Sequence, residues 1–168
     1  MLDLKRFKDP ILFQEAREIL PEEFGPKLEQ TLSDMAIIMF QHQGVGLAGP
    51  QVGDSRRILV ADLGYVTGED YGSNLIKMVN PEIVSFSEET VTAGEGCLSY
   101  PELTVNVVRP LAIFVKFCSP SGEELSQTFT DWQARIIAHE IDHLNGVTLY
   151  GRSSKFSQKR YDKKIKAG

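Results

Sequence analysis

The chain has 168 residues, 42% of them hydrophobic and 24% charged, a balance that excludes disordered and fibrous proteins and predicts one globular domain spanning 1–168. Two cysteines, Cys97 and Cys118, are too few for a disulfide scaffold, and charged residues interrupt every apolar run before the ~18 residues of a membrane span. No signal-like segment opens the sequence, so a soluble, cytoplasmic protein without membrane contact is expected. The net charge of −5 is uneven: residues 151–168 carry +6 and the remainder −11. An acidic body is a poor nucleic-acid binder, so no specific DNA binding is expected, and any anionic partner must be met by the tail.

In chain order, Leu28, Leu32, Met35 and Met39 recur at i, i+4, i+7 and i+11, one stripe of an amphipathic helix from Pro26 that closes near Gln41 to Gly44. Short β-rich runs follow at 57–62, 75–79, 83–92, 103–108, 112–118 and 124–129. Their connections are too short for crossover helices, so the sheets should be largely antiparallel. A second helix opens at Thr130, which with Gln133 fits a capping box, and stops at Asn145-Gly146 with Gly146 as left-handed cap. Ala134, Ile136, Ile137, Ala138, Ile141 and Leu144 make it apolar nearly all round, so it belongs inside the domain. A short basic helix from about 157 to 166 ends the chain. The fold class is α+β: mostly antiparallel sheets packed around a buried metal-binding helix, with an N-terminal amphipathic helix and a short C-terminal one.

Three polar residues on that apolar helix demand an explanation: His139, Glu140 and His143. Imidazoles at i and i+4 share one helical face and can grip one metal ion, while Glu140 lies about 100° round, where it reaches a water on that ion. The extended zinc-protease pattern requires a histidine where Leu149 stands, and no glutamate follows Glu140, so the third ligand must lie upstream. The candidates are His42, Cys97 and Cys118. His42 ends the first helix, and Cys118 sits in an alternating strand where cysteine is usually a small core hydrophobe. Cys97 lies in Glu95-Gly96-Cys97-Leu98-Ser99-Tyr100-Pro101, non-repetitive backbone suited to presenting a thiolate, and is the expected ligand.

Gly44-Val45-Gly46-Leu47-Ala48-Gly49-Pro50-Gln51, Glu95-Gly96-Cys97-Leu98-Ser99 and His139-Glu140-Ile141-Asp142-His143 together resemble the peptide deformylases over nearly the whole chain. The first motif also matches a dinucleotide loop, but it follows a helix and runs into Pro50, so its glycines, Gly46 among them, are read as admitting a peptide backbone. The resemblance implies hydrolysis of the N-terminal formyl group from formyl-methionyl nascent polypeptides, releasing formate. It implies Cys97, His139 and His143 as ligands of one divalent metal, Fe2+ before Zn2+, Ni2+ or Co2+, with Glu140 as acid–base. It assigns the oxyanion donors to the Gln51 amide and the Leu98 backbone N–H. Val45 and Ile136 are candidate lining for the methionine pocket, and Glu95 is expected to pair with Arg109 and hold the cysteine loop.

The sequence departs from the family pattern at Gly49, where a second alanine is usual, at Ala138 for glutamine, at Gly151 for aspartate, and at Thr104 where some members carry arginine. Two other readings stand beside this one: a metalloprotease or amidase acting on another acyl group, and an inactive peptide-binding module. A substrate emerging from the ribosome gives the basic tail a role, docking on ribosomal RNA. The competing reading is a helix packed through Phe156, Tyr161 or Ile165.

Overall fold

The structure is a computed structural model and describes residues 1–64 and 71–167. Helix α1 spans Pro26–Gln41, with proline at its first turn, where a missing N–H costs nothing. The predicted stripe is its buried face: Leu28, Leu32, Met35 and Met39 are all within 1% of full burial. They pack on Leu47, Ile58, Val60 and Val79.

Seven strands follow among the described residues: β1 Gly46–Ala48, β2 Ile58–Asp62, β3 Leu75–Phe86, β4 Thr90–Cys97, β5 Tyr100–Pro110, β6 Ala112–Cys118 and β7 Glu124–Thr130. Among the described residues these strands all pair antiparallel, as the short connections predict, in one sheet of order β1-β2-β3-β6-β7 and a separate β4-β5 hairpin. Strand β2 is buried on both faces, alternating Ile58 and Val60 toward α1 with Leu59 and Ala61 toward the opposite layer.

Two boundaries differ from the sequence reading. The runs 75–79 and 83–92 are not two strands: the first continues through a bulge at Asn80-Pro81 into β3, and the second divides at 87–89. Asn80 takes φ 50 and its side-chain amide bonds both the N–H and the carbonyl of Ile19, while Pro81 has no N–H for the ladder, so the register shifts there without ending the strand. At 87–89 the Ser87 hydroxyl donates to the Glu89 carbonyl and accepts from the Ala112 N–H, which turns the chain away toward β4. The motif containing Gly46 forms the unpredicted edge strand β1 and then a 3-10 turn over Gly49–Val52.

Helix α2 spans Asp131–Leu144 and lies on the sheet face lined by Leu59, Met78, Val115 and Phe129. Thr130 occupies the N-cap, but its side chain makes no cap bond. The capping box is absent because Asp131 adopts φ 53 and spends its own N–H on the Leu111 carbonyl, which changes the entry angle that a capping hydroxyl needs. The helix stops as expected at Gly146, with φ 71.

A single turn, α3, covers Leu149–Arg152, and the tail helix α4 covers Lys155–Ala167, two residues earlier than predicted. Tyr161 is its buried anchor, packed with Leu12, Tyr100 and Leu103, and its hydroxyl donates to the Pro101 carbonyl at 2.9 Å. Ile165 packs beside it, whereas Phe156 stands 75% exposed and does not anchor the helix. No helix among the described residues is long and apolar enough to cross a membrane.

Gly49 has a local reason. A Cβ there would lie 2.7 Å from the Arg56 carbonyl oxygen and 2.8 Å from that of Asp54, and the 53–56 loop is held in place by the Asp54 N–H on the Gly49 carbonyl. Gly49→Ala is therefore expected to cost about 1–3 kcal/mol as overpacking. Thermal unfolding should register it as a fall of several degrees, at about 2–4 °C per kcal/mol for a chain of this size. An unchanged melting temperature would mean that the loop yields freely.

Candidate metal centre and cleft

Helix α2 sets His139 and His143 one turn apart, ring centroids 5.1 Å from each other. The β4-β5 turn brings Cys97 to them, its Sγ 3.3 Å from His143 Nε2. The ligand atoms of these three residues all lie within 4.8 Å of one another, a group of three that includes neither His42 nor Cys118. Cys118 instead packs beside the α1 core.

The orientation of His139 is set from behind. Its Nδ1 lies 2.9 Å from Glu95 Oε1, and an ionised carboxylate can only accept, so Nδ1 carries a proton and Nε2 is the nitrogen left for the site. Glu95 is buried and holds more than the predicted Arg109. Arg109 donates to it through Nε and Nη2, and Arg135 Nη1 donates to Oε2 at 2.6 Å. Burial alone would raise the Glu95 carboxyl, but the bonds from His139 and Arg109 outweigh it and hold the group well below the usual carboxylate range. The sequence held two signals for these partners: Glu95 and Cys97 share a strand face at i and i+2, and Arg135 lies one helical turn before His139.

Burial, followed by the neighbouring His139 ring, keeps His143 well below its ordinary pKa, so it stays neutral. Burial likewise opposes a proton on His139, yet the adjacent Cys97 and Glu95 raise it well above the ordinary value. A cation bound to the trio would take the place of that proton. Glu140 is pushed up to about 7 by burial, and its Oε2 has no hydrogen-bond partner among the described residues. Gly46 explains how the carboxylate fits: a Cβ there would sit 2.5 Å from Glu140 Oε1. A thiolate, two imidazoles and an unpartnered buried carboxylate oxygen beside them suit one divalent ion with room for a reacting molecule.

Gln51 is fully buried in the 3-10 turn after β1. Its Oε1 accepts from the Ala48 N–H at 2.9 Å, which fixes the amide so that Nε2 faces Cys97 Sγ at 3.5 Å and Ser99 Oγ at 3.2 Å. Two backbone bonds from the chain start brace this arrangement, Lys5 N–H on the Gln51 carbonyl and Phe7 N–H on that of Ser99. Beside these groups lies a cleft of about 640 Å³. Val45, Gly46, Leu98 and Ile136 line it, as do Cys97, His139, Glu140 and Gln51. The sequence reading omitted Trp132 and Arg135, which line it too.

A histidine pair and a glutamate on one buried helix, with a thiolate brought from a distant hairpin, make the donor set of a mononuclear metal-dependent hydrolase. The chain belongs to the polypeptide deformylase family, whose profile matches residues 1–159. The peptide deformylase of Natranaerobius thermophilus is 40% identical over 147 residues, 88% of each chain. That of Thermotoga petrophila is 36% identical over 165 residues, covering 98% of this chain and 94% of its own. Among solved structures, peptide deformylase from Thermotoga maritima superposes with a TM-score of 0.83 at 38% identity, covering 92% of this chain and 98% of that one. The enzyme from Synechococcus elongatus, in complex with actinonin, gives 0.87 at 32% identity, covering 98% and 88%.

Proposed function

We propose that this chain hydrolyses the N-terminal formyl group of formyl-methionyl nascent peptides in the cytoplasm, with Cys97, His139 and His143 holding one divalent ion. The observation that carries the reading is the convergence of those three ligand atoms within 4.8 Å beside the unpartnered Glu140 carboxylate at the cleft. When bound, the ion supplies Lewis acidity, making water acidic enough to attack a carbonyl at neutral pH. Fe2+ is the proposed metal by family resemblance, with Zn2+, Ni2+ and Co2+ also suited to two imidazoles and a thiolate.

The remaining chemistry belongs to the chain. Glu140 takes the proton of the attacking water on its free carboxylate oxygen and returns it to the departing amide nitrogen. The Gln51 Nε2 and the Leu98 backbone N–H supply hydrogen bonds to the oxyanion, and the Ala48–Gln51 bond means that the amide need not reorient as charge develops. The outer edges of β1 and β4 are unpaired, and residues of both line the cleft, so an extended peptide can add to either as a strand. Val45, Gly46 and Ile136 receive the first residue.

Formate release decides the matter. Protein purified anaerobically with iron should release formate from formyl-Met-Ala-Ser and leave acetyl-Met-Ala-Ser and Met-Ala-Ser intact. Cleavage of the acetyl or unblocked peptide would point to the amidase or protease reading, and no turnover at all to an inactive binding module. Zinc-loaded protein should turn over more slowly, and equal turnover would remove the preference for iron.

The basic tail gives the second part of the proposal, a contact with the ribosome. Lys159, Arg160 and Lys163 are exposed on α4, whereas Tyr161 is buried. Because Tyr161 is core, reversing charge is a cleaner test than removing the helix. Changing all three to glutamate should weaken co-sedimentation with ribosomes at low salt while formate release from the short peptide continues. Unchanged co-sedimentation would leave α4 a packing element only.

A further inference from the structure

Gly44, Val45 and Gly46 form one wall of the cleft, and the backbone there is pinned at successive points. The Gly44 N–H closes α1 by donating to the Met39 carbonyl at 2.9 Å, and the Val45 carbonyl accepts from the Asp62 N–H at 2.8 Å. Between these bonds stands the carbonyl of the buried Gly44, which accepts from the Tyr71 hydroxyl at 2.6 Å. Tyr71 is itself held. Its ring stands edge-on to Phe40 in the last turn of α1, centroids 5.1 Å apart and planes at 87°. The N–H of the next residue, Gly72, donates to Asp62 Oδ2 at 2.7 Å, and that of Gly64 to Oδ1 at 3.1 Å. Asp62, fully buried at the end of β2, thus fixes the backbone beside Tyr71 through its carboxylate and the wall through its own N–H.

We propose that Tyr71 is a positioning residue for the deformylation of peptides: its hydroxyl sets where the Gly44–Gly46 wall stands, and so how well the cleft holds the substrate backbone beyond the formyl-methionine. This deepens the deformylase reading and rests on it. The Val45 carbonyl points to β2, and strand alternation turns the Gly46 backbone groups the other way, to the open edge where an extended substrate adds. Tyr71 bonds the wall two residues before Gly46 and touches none of the reacting atoms. Without the hydroxyl, a buried carbonyl loses its donor, and the chain between Gln43, at φ 56, and Val45 is free to shift. The substrate must then order the wall as it binds, which weakens binding. The metal ligands and Glu140 stand on α2 and the β4-β5 turn, so the chemical step persists. A Cβ on Gly44 would lie 2.7 Å from Leu98 Cδ1, so the wall meets the tip of that flexible side chain. A displaced wall moves the Leu98 methyl before it moves the Leu98 N–H.

Tyr71→Phe keeps the ring against Phe40 and deletes one oxygen. KM for formyl-Met-Ala-Ser should rise about 3–10-fold, the worth of one hydrogen bond, with kcat within about 2-fold and metal content unchanged. Formyl-methioninamide has no further residues to lie along β1, so its KM should change less than about 2-fold. An unchanged KM, equal losses on the two substrates, or a fall in kcat alone would show a merely structural tyrosine and overturn the proposal. Deuterium exchange on the unaltered protein gives a second readout, independent of how Tyr71→Phe folds. The product Met-Ala-Ser should slow uptake at residues 71–74 together with the wall at 44–48, and protection confined to the wall would overturn the coupling. A wild-type protein that releases no formate from formyl-Met-Ala-Ser would overturn the reaction and this role with it, whereas an active enzyme indifferent to Tyr71→Phe overturns the role alone.

Discussion

Glu140→Gln is expected to keep stoichiometric metal and the native fold while turnover falls about 10²–10⁴-fold, the usual contribution of a positioned acid–base group. The substitution is isosteric, so it still fits against Gly46, where even a methyl group would collide with the side chain. It also removes a carboxyl that burial makes costly to ionise, so stability should not fall. What it removes is a place for the water's proton, since an amide at this position cannot accept one and pass it on. Metal content and formate release measured on the same sample separate the two effects. Near-wild-type turnover in a metal-loaded Gln variant would sink the acid–base assignment.

The ligand assignment makes a complementary prediction of equal size. Cys97→Ala, His139→Ala and His143→Ala should each abolish stoichiometric metal and with it activity, because two remaining donors cannot hold the ion. Cys118→Ala and His42→Ala should keep it, since neither side chain belongs to the converging group. Elemental analysis of the five purified variants reads this directly. Loss of metal from Cys118→Ala together with its retention in Cys97→Ala would refute the choice of third ligand.

Much of this site was legible in the sequence because its chemistry is local. The i, i+4 histidines and Glu140 need only one helix, and an apolar helix makes their polarity conspicuous. Cys97 emerged because its neighbours, Gly96 and Pro101, mark irregular backbone, and α1 was readable from one apolar stripe. What was not legible depends on contacts across the chain. Strand β1 is three residues long and owes its existence to pairing with β2, so no periodicity reveals it. The capping box at Thr130 failed because the Leu111 carbonyl claimed the Asp131 N–H, a tertiary bond that overrides a local signal. The further partners of Glu95 were missed for the same reason, although the spacing of Arg135 from His139 offered a hint. Trp132 read as the first turn of a helix, and only the neighbouring hairpin makes it part of a cleft.

The Glu95 carboxylate bears on how this lineage can change. It binds Arg109, Arg135 and His139 at once, and Arg109 Nη1 continues to Asp142 Oδ2 at 2.7 Å on α2, the helix that carries His139 and His143. Glu95, Arg109 and Arg135 each have side chains no more than 6% exposed. Losing one partner of such a buried pair typically costs about 3–5 kcal/mol, because the other charge is stranded. That is a large share of the roughly 5–15 kcal/mol that holds a domain folded. A mutational path that replaces these charges one at a time therefore passes through unstable intermediates, whereas a simultaneous exchange for apolar residues need not. The network acts as an evolutionary ratchet: on stability alone its members can be exchanged together but not singly.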